Sequence, residues 1–397
     1  VELAQRAMNI SPSPTLAVDA KAKEMWARGV EVLNFSAGEP DFDTPEHIKE
    51  AAVAALKAGL TKYTPVDGIP ALKRAIIEKL ERDNGLRYTP EEIVVSAGAK
   101  HSLYNAFQVL CDEGDEVILP APYWVSYLEQ IKLAGAVPRI VMTREENGFK
   151  LTPEELEEAV TPRTRVLVLN TPANPTGAVY TAGELEALGE VALRHGLVIL
   201  SDEIYEKMVY DGINHVSIAS LAPELRASTV VVNGVSKAYS MTGWRIGYAA
   251  APAEIARAMT ALQSHATSNP TSIAQAAAVA ALTGPQDELE AMVREFDRRR
   301  RYMLEALREL PGVRCVPPAG AFYVFPSVKD LLGRTYRGRS VTSATDLAQL
   351  LLEEAQVAVV PGVAFGSDEY LRLSYATDLE RIREGMARLA AFVKELR

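Results

Sequence analysis

At 397 residues the chain is long enough for two domains and a large core, and its 48% hydrophobic and 24% charged content is that of a globular protein. A net charge of −10 with no basic block argues against a general nucleic-acid-binding role. No run of about 18 apolar residues suggests a membrane span, no signal-peptide pattern is visible, and only Cys111 and Cys315 are present, so a reducing, cytoplasmic location is expected. The five histidines fall at no metal-ligand spacing, and no metal site is expected.

In chain order, Ser11-Pro-Ser-Pro14 reads as an extended arm, followed by a helix over 15–28 that Gly29 stops. A short strand from Val32 runs into the turn Gly38-Glu-Pro, where an open glycine N–H suits a ligand carboxylate. Helices follow at 45–57 and 70–84, flanking Lys62-Tyr63-Thr-Pro-Val-Asp-Gly68. Apolar strands are then expected at 93–96, 116–119, 137–142, 165–169, 197–200, 229–232 and 246–250. Helices alternate with them at 101–110, to about 134, at 152–160 with a Thr152/Glu155 capping box, and at 181–195. Continuous apolar strands alternating with helices imply a mostly parallel sheet covered on both faces.

A helical stretch over 253–282 breaks near Asn269-Pro270, and a long charged helix at 287–310 leaves this unit. Its Arg298-Arg-Arg-Arg301 run reads as a solvated face. The remainder has the pattern of a smaller α+β unit, with strands at 314–317, 321–325, 357–361 and 370–374, helices at 343–355 and 378–396, and a surface loop at 330–339. The expected division is an N-terminal arm and helix over 1–44 that joins the small domain, a large α/β domain over 45–285, and the small domain over 286–397.

The chemistry gathers at the predicted strand ends. Lys237 follows the strand 229–232 and is the side-chain type that condenses with an aldehyde; Ser236 and Arg245 beside it suit a phosphate. Ala97-Gly98-Ala99-Lys100 leads straight into a helix, whose free N–H groups and dipole favour an anion. Asp202 ends another buried strand, where a carboxylate can keep a ring nitrogen protonated. Asn174 and Tyr205 can donate to a ring oxygen, and Trp124 offers a flat face. These are the requirements of pyridoxal 5′-phosphate (PLP).

The motifs Ala-Gly-Glu-Pro-Asp-Phe (37–42), Tyr-Thr-Pro-Val-Asp-Gly (63–68), Pro-Tyr-Trp (122–124), Asn-Pro-Thr-Gly (174–177), Ser-Asp-Glu-Ile-Tyr (201–205), the 236–248 segment and Arg-Leu-Ser-Tyr (372–375) stand in one order along nearly the whole chain. Together they resemble the class I, fold-type I PLP-dependent aminotransferases, most nearly the bacterial aspartate aminotransferases of the subgroup without the distal arginine. The resemblance implies an α/β fold with a mostly parallel seven-stranded sheet. It implies that Lys237 is the Schiff-base lysine and proton carrier, and that Ser236, Arg245 and the Gly98–Ala99 backbone hold the phosphate. Asp202 would pair with the ring nitrogen, Tyr205 and Asn174 with the ring oxygen, and Trp124 with the ring face. Arg372, with Asn174 and Gly38, would clamp the substrate α-carboxylate.

Tyr63 in this family reaches the neighbouring subunit's phosphate, which implies a homodimer with shared sites. Lys100 and Thr15 match positions that contact a distal carboxylate, which implies transfer from L-aspartate to 2-oxoglutarate by a ping-pong mechanism. Members that also use prephenate carry a basic residue where Ser11 stands here. Aromatic or neutral amino-acid aminotransferases and a PLP-dependent β-lyase are the alternative readings, because few side chains separate them.

Overall fold

The computed structural model describes residues 1–397. Pro14 starts helix α1 (Pro14–Ala27), since a missing N–H and fixed φ cost nothing in a first turn. The main sheet is built from β1 (Ile93–Ser96), β2 (Glu116–Ala121), β3 (Val137–Met142), β4 (Thr164–Asn170), β5 (Val198–Asp202), β6 (Thr229–Gly234) and β7 (Gly247–Ala250), with α2 (Ala99–Leu110) directly after β1. Their spatial order is β1-β7-β6-β5-β4-β2-β3. Only β7 runs against its neighbours; the other pairings are parallel. Every residue of β6 is buried, as a central strand covered on both faces requires.

Register brings the working ends together. Asn170 pairs with Asp202, Asp202 with Val232, and Gly234 with Gly247, so β4, β5 and β6 finish along one edge where β7 begins. Beside that edge, a Cβ on Gly247 would lie 2.1 Å from the Ala99 nitrogen, so only glycine lets β7 pass the start of α2.

Helix α3 (Asp287–Arg308) leads to a three-stranded antiparallel sheet of β8 (Tyr323–Val324), β9 (Val360–Pro361) and β10 (Leu371–Ser374), with β10 in the middle. Leu33–Asn34 pairs in parallel with Val357–Ala358, which ties the N-terminal segment to this end of the molecule. We propose the expected division, 1–44 with 286–397 against 45–285, on the strength of these two sheets and that pairing. Even so, one hydrophobic cluster runs unbroken from Leu72 and Ile76 to Phe322 and Leu373, so the two parts share a core.

Several expectations need correction. Residues 314–317 form no strand; Arg314 makes only an isolated bridge to Ser327. The single strand expected at 357–361 is two, because Val357–Ala358 and Val360–Pro361 join different sheets. The 330–339 segment is partly a hairpin, Thr335–Tyr336 against Arg339–Ser340. Most telling, Arg299 and Arg300 are 4% and 3% exposed. The four-arginine run is solvated only at Arg298 and Arg301, because Phe296, Met303 and Leu307 share the inner face of α3 with the middle pair.

Behind the large sheet's working edge lies a buried ion pair, Lys79 with Glu206, in which Asn84 donates to the same carboxylate at 3.0 Å. Burial opposes the Glu206 charge, yet Lys79, His215 and Lys207 hold its carboxyl down at about 2. Lys79→Met strands that carboxylate, and equilibrium unfolding should show a loss of about 3–5 kcal/mol. A Lys79→Met/Glu206→Leu double variant should recover most of the loss.

Candidate active site

A cavity of about 450 Å³ opens at the shared strand edge and receives residues from both parts of the chain. All the candidates read from the sequence line it except Gly98 and Tyr63. Gly98 lies just behind, as the N-cap of α2 with φ +88°; a Cβ there would meet the Arg245 guanidinium at 2.4 Å. Tyr63 is apart from the cavity and 91% exposed.

Lys237 follows β6 directly, and its amine donates to the Gly38 carbonyl. The glycine thus meets Lys237 through its C=O. Burial lowers the Lys237 amine from 10.5 to about 8; Glu39 opposes the change, and Arg372, Arg245 and Lys100 add to it. Asp202, at the end of β5, accepts from the Tyr127 hydroxyl at 2.5 Å and from the Ile204 N–H at 3.2 Å. Burial nevertheless raises its carboxyl to about 6. Such a carboxylate gains from any cation brought against it.

Arg245 has a left-handed backbone, φ +56°, and its guanidinium donates to the Thr242 and Ala97 carbonyls at 2.8 and 3.1 Å. That holds it against the donor-rich start of α2, beside a buried Ser236. The Lys100 amine stands 5.0 Å above the Trp124 ring with no carboxylate partner. Burial lowers its pKa and Arg245 lowers it further. Thr15, brought in by α1, shares a hydrogen bond with Ser13 at 2.9 Å.

From the middle strand of the small sheet, Arg372 is 2% exposed and faces no carboxylate. It donates to Asn174 Oδ1 at 3.1 Å and to the Ser36 carbonyl at 2.6 Å, and its Nε has no partner. The Tyr323 ring lies 4.4 Å and the Phe365 ring 5.1 Å from its guanidinium. Burial pulls its pKa below the usual range, although arginine stays charged in proteins. A buried cation without an anion is a site prepared for one.

Tyr205 shares a hydrogen bond with the Tyr323 hydroxyl at 2.8 Å. Tyr127, Tyr323 and Glu39 also line the cavity and were not singled out from the sequence. For Tyr127 the helical spacing from Trp124 was the available signal. Glu203, Glu206 and His215 bring ligand atoms within 4.8 Å of one another. The carboxylates are paired, Glu206 with Lys79 and Asn84 and Glu203 with Ser201, Ser217 and His215, in an ion-pair network that leaves His215 Nδ1 without a partner.

A lysine amine and a raised carboxylate from the large sheet thus share one cavity with a buried guanidinium from the small one. Residues 30–389 match the family described as aminotransferase class I and II. The chain belongs to that family. An aspartate aminotransferase from Geobacillus stearothermophilus is 54% identical over 394 residues, covering 99% of both chains. An aspartate/prephenate aminotransferase from Cereibacter sphaeroides is 53% identical over 96% of both chains. A solved aspartate aminotransferase from Rhizobium meliloti superposes with a TM-score of 0.97 at 47% identity, covering all of both chains.

The Lys237 value has a consequence for the ligand-free aminotransferase. Its folded pKa lies below the unfolded one, so the cost of burying the charge is present in full below pH 8. That cost is relieved as pH rises from about 8 towards 10.5. Ligand-free Lys237→Met should therefore melt about 2 °C or more above ligand-free wild type at pH 7, and the gap should close towards pH 10.5.

Proposed function

We propose that this aminotransferase uses PLP to move the amino group of L-aspartate to 2-oxoglutarate, forming oxaloacetate and L-glutamate in a ping-pong sequence. The observation that carries the reading is Arg372, a buried guanidinium without a carboxylate, in one cavity with the Lys237 amine and an unpaired Lys100. The two carboxylates of a dicarboxylic amino acid would satisfy Arg372 and Lys100, and its amine would take the place of Lys237. The names of the relatives described above point the same way.

The residues present fit PLP. Gly98 leaves room for the Arg245 guanidinium beside the free N–H groups of α2, a cradle that a Cβ would fill. Asp202, raised to about 6, calls for a cationic partner such as a protonated ring nitrogen. Ser236, Arg245 and the backbone of Gly98 and Ala99 would hold the phosphate. Asn174 and Tyr205 would donate to the ring oxygen, and Trp124 would cover the ring. When bound, PLP supplies an aldehyde for amine exchange and a ring that accepts electron density as the substrate Cα–H bond breaks.

In this reading Arg372 grips the α-carboxylate through two parallel N–H donors, with Asn174 and Gly38 beside it. Lys100 and Thr15 take the distal carboxylate. Lys237 Nζ, free once the substrate amine has taken its place, would take the Cα proton and hand it on to the carbon on the far side of the substrate nitrogen. A pKa of about 8 leaves a useful neutral fraction for that step near pH 7. Tyr63, exposed on one copy, would reach the phosphate of a second, so the active unit is a homodimer. Prephenate as a further substrate has the support of the Cereibacter relative's name, while Ser11 in the arm speaks against it.

A donor screen with 2-oxoglutarate as acceptor tests the reading, with L-aspartate expected to be preferred over aromatic and neutral amino acids. In Lys100→Ala, kcat/KM for aspartate should fall about tenfold or more while neutral donors change less than about threefold. An equal loss for every donor would remove Lys100 from its role. Lys237→Ala should lose both turnover and the absorbance of the bound cofactor; a variant that keeps them would remove Lys237 as the reactive amine.

A further inference from the structure

Residues 36–42 form a strap whose first four residues, 36–39, line the cavity and meet three of its side chains. The Ser36 carbonyl accepts from Arg372, the Gly38 carbonyl from Lys237, and the Glu39 carboxylate from Thr242 at 2.7 Å. Its upstream end is fixed by backbone bonds, from the Phe35 N–H to Ala358 and from the Ser374 N–H to Phe35. Downstream, beyond Pro40, the first anchor is an ion pair. Arg299 donates to both oxygens of Asp41, at 2.8 and 3.1 Å, and its Nε is held by Glu295 at 3.0 Å. Phe42 lies edge-on to Phe296 at 5.4 Å, with the Arg299 guanidinium 5.0 Å from its ring.

A largely buried ion pair of this kind contributes little net stability, since an apolar replacement is often as stable. What it does supply is geometry, because a two-point guanidinium–carboxylate contact fixes distance and plane together. We propose that Arg299 and Asp41 are positioning residues of the active site. Their pair sets the height of the strap, so that Ser36 presents its carbonyl to Arg372 and Gly38 its carbonyl to the free amine of Lys237. The inference rests on the reading of Arg372 as the carboxylate site and Lys237 as the proton carrier. Lys237 is free only after the substrate amine has replaced it, so the Gly38 carbonyl aims the amine during proton transfer. Neither Arg299 nor Asp41 needs to touch the substrate.

Asp41→Asn keeps the side-chain shape and removes the charge, while Arg299→Lys keeps the charge and removes the two-point contact. Both are made in the full chain and loaded with PLP. Three quantities are compared with wild type: the PLP dissociation constant, the dissociation constant of succinate as an unreactive dicarboxylate, and the α-deuterium isotope effect on the aspartate half-reaction. The expected result is PLP affinity within about twofold of wild type, succinate bound about five- to tenfold more weakly, and a larger isotope effect in both variants. Unchanged succinate binding and isotope effect would overturn the proposal, even with a lower Tm, since they would leave the pair a purely structural role. If wild type itself neither binds succinate nor turns over aspartate, the functional reading falls and this inference with it.

Discussion

Backbone hydrogen bonding between parallel strands sets the relative height of their ends, and in this protein that height is the precondition for chemistry. Asn170, Asp202 and Val232 stand in register, so the loops that follow β4, β5 and β6 leave the sheet at one level. Asn174, Tyr205 and Lys237 are each within a few residues of those ends. No side-chain contact has to bring them together, because the sheet already does. The small sheet needs only to present Arg372 to the same opening, and the strap at 36–42 joins the two.

The cavity is electrostatically unfinished. Lys23, Lys100, Lys237, Arg245 and Arg372 line it against Asp19, Glu39 and Asp202. Arg372, Arg245 and Lys100 each push the Lys237 amine towards its neutral form. In the proposed reading, a substrate carboxylate held by Arg372 would cancel one of these influences and make the Lys237 amine a stronger base.

The parts of the fold that could be read in the sequence were those with a single local cause. All seven strands of the main sheet showed as apolar runs, and the Thr152 and Thr181 helix starts carry capping boxes in which local side chains satisfy the first N–H groups. Lys237, Asp202 and Arg372, which line one cavity, are legible as candidates because their motifs stand in order along the chain. Where two distant segments jointly decide the outcome, local reading failed. Val357–Pro361 divides because its two halves find different partners, and that choice is not encoded in the run itself. The arginine run misled because charge implies solvent on average. Its correction was nonetheless present in the spacing: Phe296, Arg299, Arg300, Met303 and Leu307 share one helical face.

The reversed direction of β7 gives the segment between Gly234 and Gly247 an unusual status. Paired glycines close it at both ends, and it carries Ser236, Lys237 and Arg245 as an excursion from a single point on the sheet. Most surface loops absorb a lengthened or shortened chain by bulging into solvent. Here an added residue would turn Lys237 and Arg245 out of phase with each other while the sheet stayed intact. The geometry of this segment therefore tolerates a changed side chain better than a changed length.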